Sequence, residues 1–388
     1  MEDWKLIRLG DVISIKSGFA YKGEYIGNGD AYLLGMGCVS YKDIFLLSGA
    51  RKYNGEAPER YLAKPGDIVL ATRQQSDNLP ILGMPAMIPH SFNGEKVIIG
   101  ANLYRVENQS DISNEFLFWL LKSPAYVAHI RSCQTGTTVR MITKANIEDF
   151  TFLCPPKSER QRIASTLWNI EKKIELNNRI NHNLEEQMES LFNELCIDKE
   201  GYTEASLTEI ADYINGLAMQ KFPVSEGEKG LPVLKIKELG QGFCDESSDR
   251  CTSELKPDSI IHDGDIVFSW SGTLMVDMWC GGTCGLNQHL FKVQSNKYPK
   301  WFYYMWTKHH LKNFIHIAKD KAVTMGHIKR GHLENAIVHI PSFEVLGTLD
   351  KVFGPMLEQI LKTRLENCKL CEERDSLLPR LLTGEIIC

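Results

Sequence analysis

Arg73, Gln74, Gln75 and Asn78 stand close together in the stretch TRQQSDN, directly after an apolar run. Such side chains carry the donors and acceptors that read guanine and adenine edges in a DNA major groove. At a shift of 198 residues a second apolar run is followed by Trp270, Ser271 and Thr273. That is a different chemistry at a corresponding place, and it is expected to read different bases. Another group mixes hydroxyls with cations. It comprises Thr137, Thr138, Arg140 and Lys144, with Lys319, Lys321, Thr324, Lys329 and Arg330 later in the chain. That mixture suits contacts to phosphate, which position a protein without reading sequence. Between Lys292 and His332 nine Lys or Arg residues face one acid, Asp320, and between Lys122 and Ile147 four face none. The chain as a whole carries a net charge of -5. Local basic faces on such a body suit a protein that meets nucleic acid on one side only.

The elements that must position these residues are written twice. KPGDIVLAT (64–72) is matched by HDGDIVFSW (262–270), and Gly18 by Gly216, both at a shift of 198. Asn102 lies over Asn287 at 185, and Ile142 over Ile328 and Pro155 over Pro341 at 186. The order is kept and the shift changes only across loops, which marks a tandem duplication. Each copy opens with short apolar runs broken by glycine, read as strands and turns. A helical piece follows in each, NEFLFWLLKSPAYVAHI and PKWFYYMWTKHHLKNFI. Their aromatics recur at helical spacing and are expected in the core, and Asn102 and Asn287 are expected to be turn residues.

Each copy then ends in a proline and a long amphipathic helix. In the first helix the apolar seam is Ile163, Leu167, Ile170, Ile174, Leu184, Met188 and Leu191, with Asn177 and Asn181 interrupting it. In the second it is Leu349, Phe353, Met356, Ile360, Leu370 and Leu377, interrupted at Thr363 and Asn367, with Gly354-Pro355 expected to kink or restart the helix. Alternating steps of three and four mark a coiled-coil seam, and a polar residue inside one fixes register and partner. Seams with matching interruptions are expected to pair with each other, antiparallel. About 35 helical residues span ~50 Å. The expected fold is therefore α+β: two similar mixed α/β target-recognition domains joined by two long antiparallel coiled-coil helices, a pseudo-twofold dumbbell. Its parts are recognition domain 1 (1–156), spacer helix 1 (157–200), recognition domain 2 (201–341) and spacer helix 2 with the C-terminal tail (342–388). Two unlike heads on a fixed spacer would read an asymmetric bipartite sequence, since the second contact becomes intramolecular.

Composition narrows the class. No apolar run approaches the ~20 residues that cross a bilayer, and MEDWKLIRLGDV has no apolar core of signal-peptide type. A cytoplasmic protein with no membrane partner is expected. Eleven cysteines scattered over 388 residues do not make a disulfide framework. No Asn-Pro-Pro-Tyr motif for adenine methylation, no glycine loop for S-adenosylmethionine and no phosphate loop of the G-x-x-x-x-G-K-[ST] type is found. The chain is expected to be non-catalytic, with no metal and no cofactor of its own. Two other readings exist: a two-headed scaffold that binds protein, and a zinc enzyme of duplicated lobes built on Cys280, Cys284 and His289.

The segments CEERDSLLPRLLTGEI (371–386), GDIVFSWSGT (264–273), GLNQHLFKV and PPKSERQRIAS carry a resemblance. They are similar to those of the DNA-specificity subunits of type I restriction–modification systems, in the same order over nearly the whole chain. The resemblance implies a non-catalytic subunit that binds double-stranded DNA and two modification subunits. Those partners would hold S-adenosylmethionine and methylate adenine N6 in each half-site. Restriction subunits, which use ATP and Mg to translocate and cut DNA, can be recruited further. The long helices would set the spacer length and form the docking surface.

Overall fold

The computed structural model describes residues 4–74, 80–136, 139–320 and 326–386. They form two compact units. One comprises residues 1–172 with 371–388, the other residues 173–370.

In the first unit a four-stranded antiparallel sheet runs in the order Ile13–Ser17, Leu103–Asn108, Ile68–Ala71, Pro85–Met87. A smaller sheet runs Ala50–Tyr53, Ile26–Leu34, Val97–Ile99, Leu62–Ala63, with its two inner strands parallel. A ribbon pairs Lys5–Arg8 with Thr151–Cys154. The second unit repeats all three. Its larger sheet is Asp212–Asn215, Leu290–Gln294, Ile266–Ser269, Met275–Met278. Its smaller sheet is Arg250–Cys251, Leu231–Leu234, Cys284–Leu286, Ile260–Ile261, again parallel at the centre. Its ribbon pairs Thr203–Ser206 with Ile337–Ile340. The expected duplication is present strand by strand.

The repeated GDIV stretch is explained by the turn it makes. Gly66 and Gly264 sit at φ of +84° and +87°, where a side chain is strained. Asp67 accepts from the Lys64 amide at 3.1 Å, and Asp265 from the His262 amide at 2.9 Å. Each carboxylate also pairs with a cation on the neighbouring strand, Arg105 at 3.1 Å and Lys292 at 2.9 Å. Each glycine carbonyl accepts from the start of the following helix, from Asn114 at 2.8 Å and Lys300 at 2.7 Å. Gly18 and Gly216 are repeated for a second reason. A Cβ there would lie 2.1 Å from the Gly100 carbonyl oxygen and 2.2 Å from that of Asn287.

The helical aromatics are core. Phe116, Phe118 and Trp119 are buried in the first unit, and Trp301, Phe302 and Trp306 in the second. The first copy breaks into two helices, Asn114–Leu120 and Pro124–Cys133, because Ser123 caps a helix that begins with proline. The second copy runs unbroken as Lys300–Asp320.

The long helices are Lys157–Cys196 and Phe343–Leu382. The second helix continues across Pro355, so the expected restart does not occur. Within the second unit they run antiparallel, since Asn177 meets Asn367 and Asn181 meets Thr363. Asn177 is fully buried, and its amide nitrogen donates to Glu366 and to Asn367 at 2.8 Å each. Asn367 in turn donates to Asn178 at 2.8 Å. Within the first unit, Ile163 and Leu167 share a core with Leu378 and Leu381. There Arg374 and Glu171 form a buried ion pair, and the Lys42 carbonyl accepts from both Arg374 and Lys122. Burial, followed by the Arg374 charge, pushes the Lys122 ammonium down to about 8, against the pull of Glu171 and Asp43.

The seam differs in detail from its sequence reading. Ile163, Leu167, Met188, Leu349, Phe353 and Ile360 are buried, whereas Ile170, Ile174, Leu184, Leu191 and Leu370 are half-buried. Met356 and Leu377 give way to their neighbours Leu357 and Leu378, and Phe192 joins the buried stripe. The helices also face the globular core, so their apolar stripe is wider than a strict seam. Phe353 stacks on Trp301 with centroids 4.4 Å apart, and Phe192 meets Trp306 edge-on at 5.0 Å.

Removing Asn177's amide leaves Glu366 and Asn367 short of a partner in this layer. Asn177→Ala is expected to lower the unfolding free energy by about 1–3 kcal/mol in urea titration of the full chain. Arg374→Ala strands the Glu171 carboxylate and is expected to cost about 3–5 kcal/mol by the same measurement.

Candidate nucleic-acid interface

In each unit the structure joins the two groups of candidate residues. Arg73–Gln74 pairs antiparallel with Arg140–Met141, with Gln74 opposite Arg140. In the second unit Ser271 bridges to His327 in the same sense. The anchoring hydrogen bonds correspond as well. The Ile142 amide donates to the Thr72 carbonyl at 3.3 Å, and the Ile328 amide to the Trp270 carbonyl at 3.0 Å. The strand that carries GDIV therefore leads into a two-stranded crossing with the segment before the last strand of each unit. That pairing spans some seventy residues in the first copy and could not be read from local pattern.

Strand alternation sorts the side chains. Arg73 points out and is exposed. Gln74 points in, is 7% exposed, and its Oε1 accepts from the Leu82 amide at 3.3 Å. It holds the loop, and the expectation that it reads a base is corrected. Ser271, which stands at the place of Arg73 in the repeat, is corrected because it is 4% exposed with its hydroxyl 3.1 Å from His289 Nδ1. Thr273 is exposed and Trp270 half-buried. The Trp270 indole donates to Asn215 Oδ1 at 3.2 Å. Gln75, Asn78, Thr137, Thr138, Lys321 and Thr324 lie outside the described residues.

Around each crossing sit the cations. Lys319, Lys329 and Arg330 are exposed, Arg330 pairing with Glu334 at 3.7 Å. Arg140 and Lys144 are half-buried. The Lys144 ammonium lies over the Tyr104 ring, 5.8 Å from its centroid. Tyr104 donates to the Ile142 carbonyl at 3.3 Å. Burial raises the Tyr104 phenol's pKa, and the nearby Arg73 charge opposes that shift. The arrangement presents fixed positive charge and a few hydrogen-bonding side chains on a rigid crossing, as phosphate and base contacts require.

Three residues at the crossings were missed by sequence reasoning. Tyr104, Asn215 and His327 all fall inside the repeated segments, beside Asn102, Gly216 and Ile328. Comparing the two copies residue by residue would have found them. Asn102 and Asn287 are turn residues: the Asn102 carbonyl accepts from the Thr72 amide at 3.2 Å, and Asn287 Oδ1 from the His289 amide at 3.3 Å. Among the described residues no group of three or more His, Cys, Asp or Glu side chains is placed to hold a metal ion. The thiols of Cys280 and Cys284 donate to the Met278 and Gly282 carbonyls, and His289 Nδ1 lies 3.1 Å from the Ser271 hydroxyl. No helix among the described residues is long and apolar enough to cross a membrane.

Comparison with known proteins agrees with this geometry. The model of the type I restriction modification DNA specificity domain matches twice, over residues 1–186 and 199–373. The chain is 21% identical to the type I restriction enzyme MjaIX specificity subunit of Methanocaldococcus jannaschii, over 99% of this chain and 94% of that one. It is 22% identical to the HindI specificity subunit of Haemophilus influenzae, over the whole of both. In fold it is similar to the crystal structure of a type I system S subunit from M. genitalium, with a TM-score of 0.59 and 14% identity over 98% of this chain and 96% of that one. Two copies of the family domain, each carrying the same crossing of strands, leave one assignment: the chain belongs to the DNA specificity subunits of type I restriction–modification systems.

Proposed function

We propose that each unit reads one half of an asymmetric, bipartite DNA site through the face that carries its crossing. The observation behind this reading is the pair of crossings itself. Their strands meet in the same antiparallel sense and their side chains differ. Arg73, Arg140 and Lys144 stand in the first unit, and Trp270, Thr273, Lys329 and Arg330 in the second. A shared scaffold with unlike contacts is what two unlike half-sites call for. Arg73 supplies a bidentate donor for guanine. Lys144, Lys319, Lys329 and Arg330 supply phosphate contacts.

The paired long helices set the length of unread DNA and offer their outer flanks to two modification subunits. Both helices carry more acids than bases, which disfavours their wrapping DNA themselves. In this reading the chain performs no chemistry. The modification subunits hold S-adenosylmethionine and methylate adenine N6, restriction subunits supply ATP- and Mg-dependent translocation and cleavage, and assembly takes place in the cytoplasm.

Methylation mapping of a host with and without the gene tests the reading. The expected result is one split motif with modified adenines on both strands, present only with the gene. Absence of such a motif, together with a shallow salt dependence of DNA binding by the assembled complex, would point to the protein-binding scaffold instead. Within the assembled complex Arg73→Ala is expected to weaken binding by about 1–3 kcal/mol and relax preference at one position of one half-site. Lys329→Ala is expected to weaken binding to all sequences alike and to reduce the salt slope by about one, measured by filter binding between low and moderate salt.

A further inference from the structure

Beside its crossing the second unit holds a cavity of about 590 Å³, a size that takes a small organic ligand. Its apolar wall is made by the Trp270 indole and the Phe291 ring, 5.8 Å apart and inclined by 31°. The indole is pinned by its bond to Asn215 Oδ1, which leaves the Asn215 amide nitrogen as a donor. Asp212 adds an exposed carboxylate acceptor. His327, Lys329 and Arg330 complete the lining. An aromatic platform, an amide donor, a carboxylate acceptor and two cations lining one cavity complement a flat polar ring with an attached anion.

The first unit is built otherwise at the same place. Thr72 occupies the position of Trp270 and turns its hydroxyl to the Asn102 carbonyl at 3.0 Å. Tyr104 takes the place of Phe291, with Lys144 lying over its ring. The indole wall is therefore a property of the second unit.

We propose that this cavity receives a single unstacked nucleotide, its base against Trp270 and Phe291 and its phosphate toward Lys329 and Arg330. Aromatic faces hold bases of any sequence by stacking. The edge groups orient the base. Asp212 can only accept a hydrogen bond, so it takes a donor from the base edge, an exocyclic amino group or a ring N–H. Glu334 engages Arg330, so Lys329 is the first partner of the phosphate. The nucleotide comes from a strand of the bound half-site, extruded from its stack, or from a free mononucleotide. The former rests on the reading that this unit binds DNA.

The test uses the full chain with its modification subunits and its mapped target duplex. 2-Aminopurine is placed in turn at each position of both half-sites, and dAMP and dTMP are titrated separately against the chain's tryptophan fluorescence. At one position the probe is expected to brighten several-fold on binding. Trp270→Ala should remove that brightening and weaken the complex by about tenfold or more. Asp212→Asn, a milder change at the rim, should keep the fold and weaken the binding of dAMP and dTMP alike. Quenching by dAMP without brightening of any duplex supports the cavity with a free nucleotide as its source. Tight duplex binding with neither brightening nor quenching overturns the cavity proposal and leaves the reading of the half-site standing. Loss of all specific duplex binding by the unaltered complex strikes that reading itself.

Discussion

Asn177 sits without solvent exposure in a largely apolar helix seam, with its amide nitrogen shared between Glu366 and Asn367. One turn further along, Asn181 meets Thr363. Apolar side chains alone would let two long helices slide by a turn at small cost, whereas a buried amide tolerates only the register that supplies its partners. Sliding would strand several polar groups at once. The pairing is thereby held to one alignment, and everything built on the helices inherits it. The seam gives up some stability for this, since an apolar layer in the same place would bury more hydrocarbon.

The two units show how a fixed scaffold accommodates divergence. The positions that repeat serve the backbone: a glycine at positive φ, a carboxylate that caps the turn and pairs across the sheet, a glycine where two strands nearly touch. The positions that differ cluster at the crossings, where exposed Arg73 is matched in the repeat by buried Ser271 and buried Thr72 by half-buried Trp270. Packing constrains the first set tightly. The second set carries no such packing constraint.

This division decides what was legible in the residues alone. The duplication, the helix pairing and the aromatic core declare themselves through periodicity and repeated glycines. The crossings do not, because their two strands come from distant segments and neither has a pattern of its own. Gln74 reads as a base contact by type, yet alternation along a two-residue strand turns it inward while Arg73 stays out. Ser271 is taken up by His289 in the same way. The helix seam is shifted by one residue at Leu357 and Leu378, because those helices pack on globular cores as well as on each other, and a heptad reading sees only the second demand.

The clasp on the first unit has a consequence for how the chain is made. Leu378 and Leu381 fill the core beneath Trp119, and Arg374 shares the Lys42 carbonyl with Lys122. A ribosome delivers these residues long after residues 1–172 of that unit and after the entire second unit. The first globule emerges with an unfilled slot and an unanswered carboxylate at Glu171, and must wait for the second globule's synthesis before it can close. Translation order thus runs opposite to the order of completion, and the early half of the nascent protein is the one exposed longest to aggregation and proteolysis.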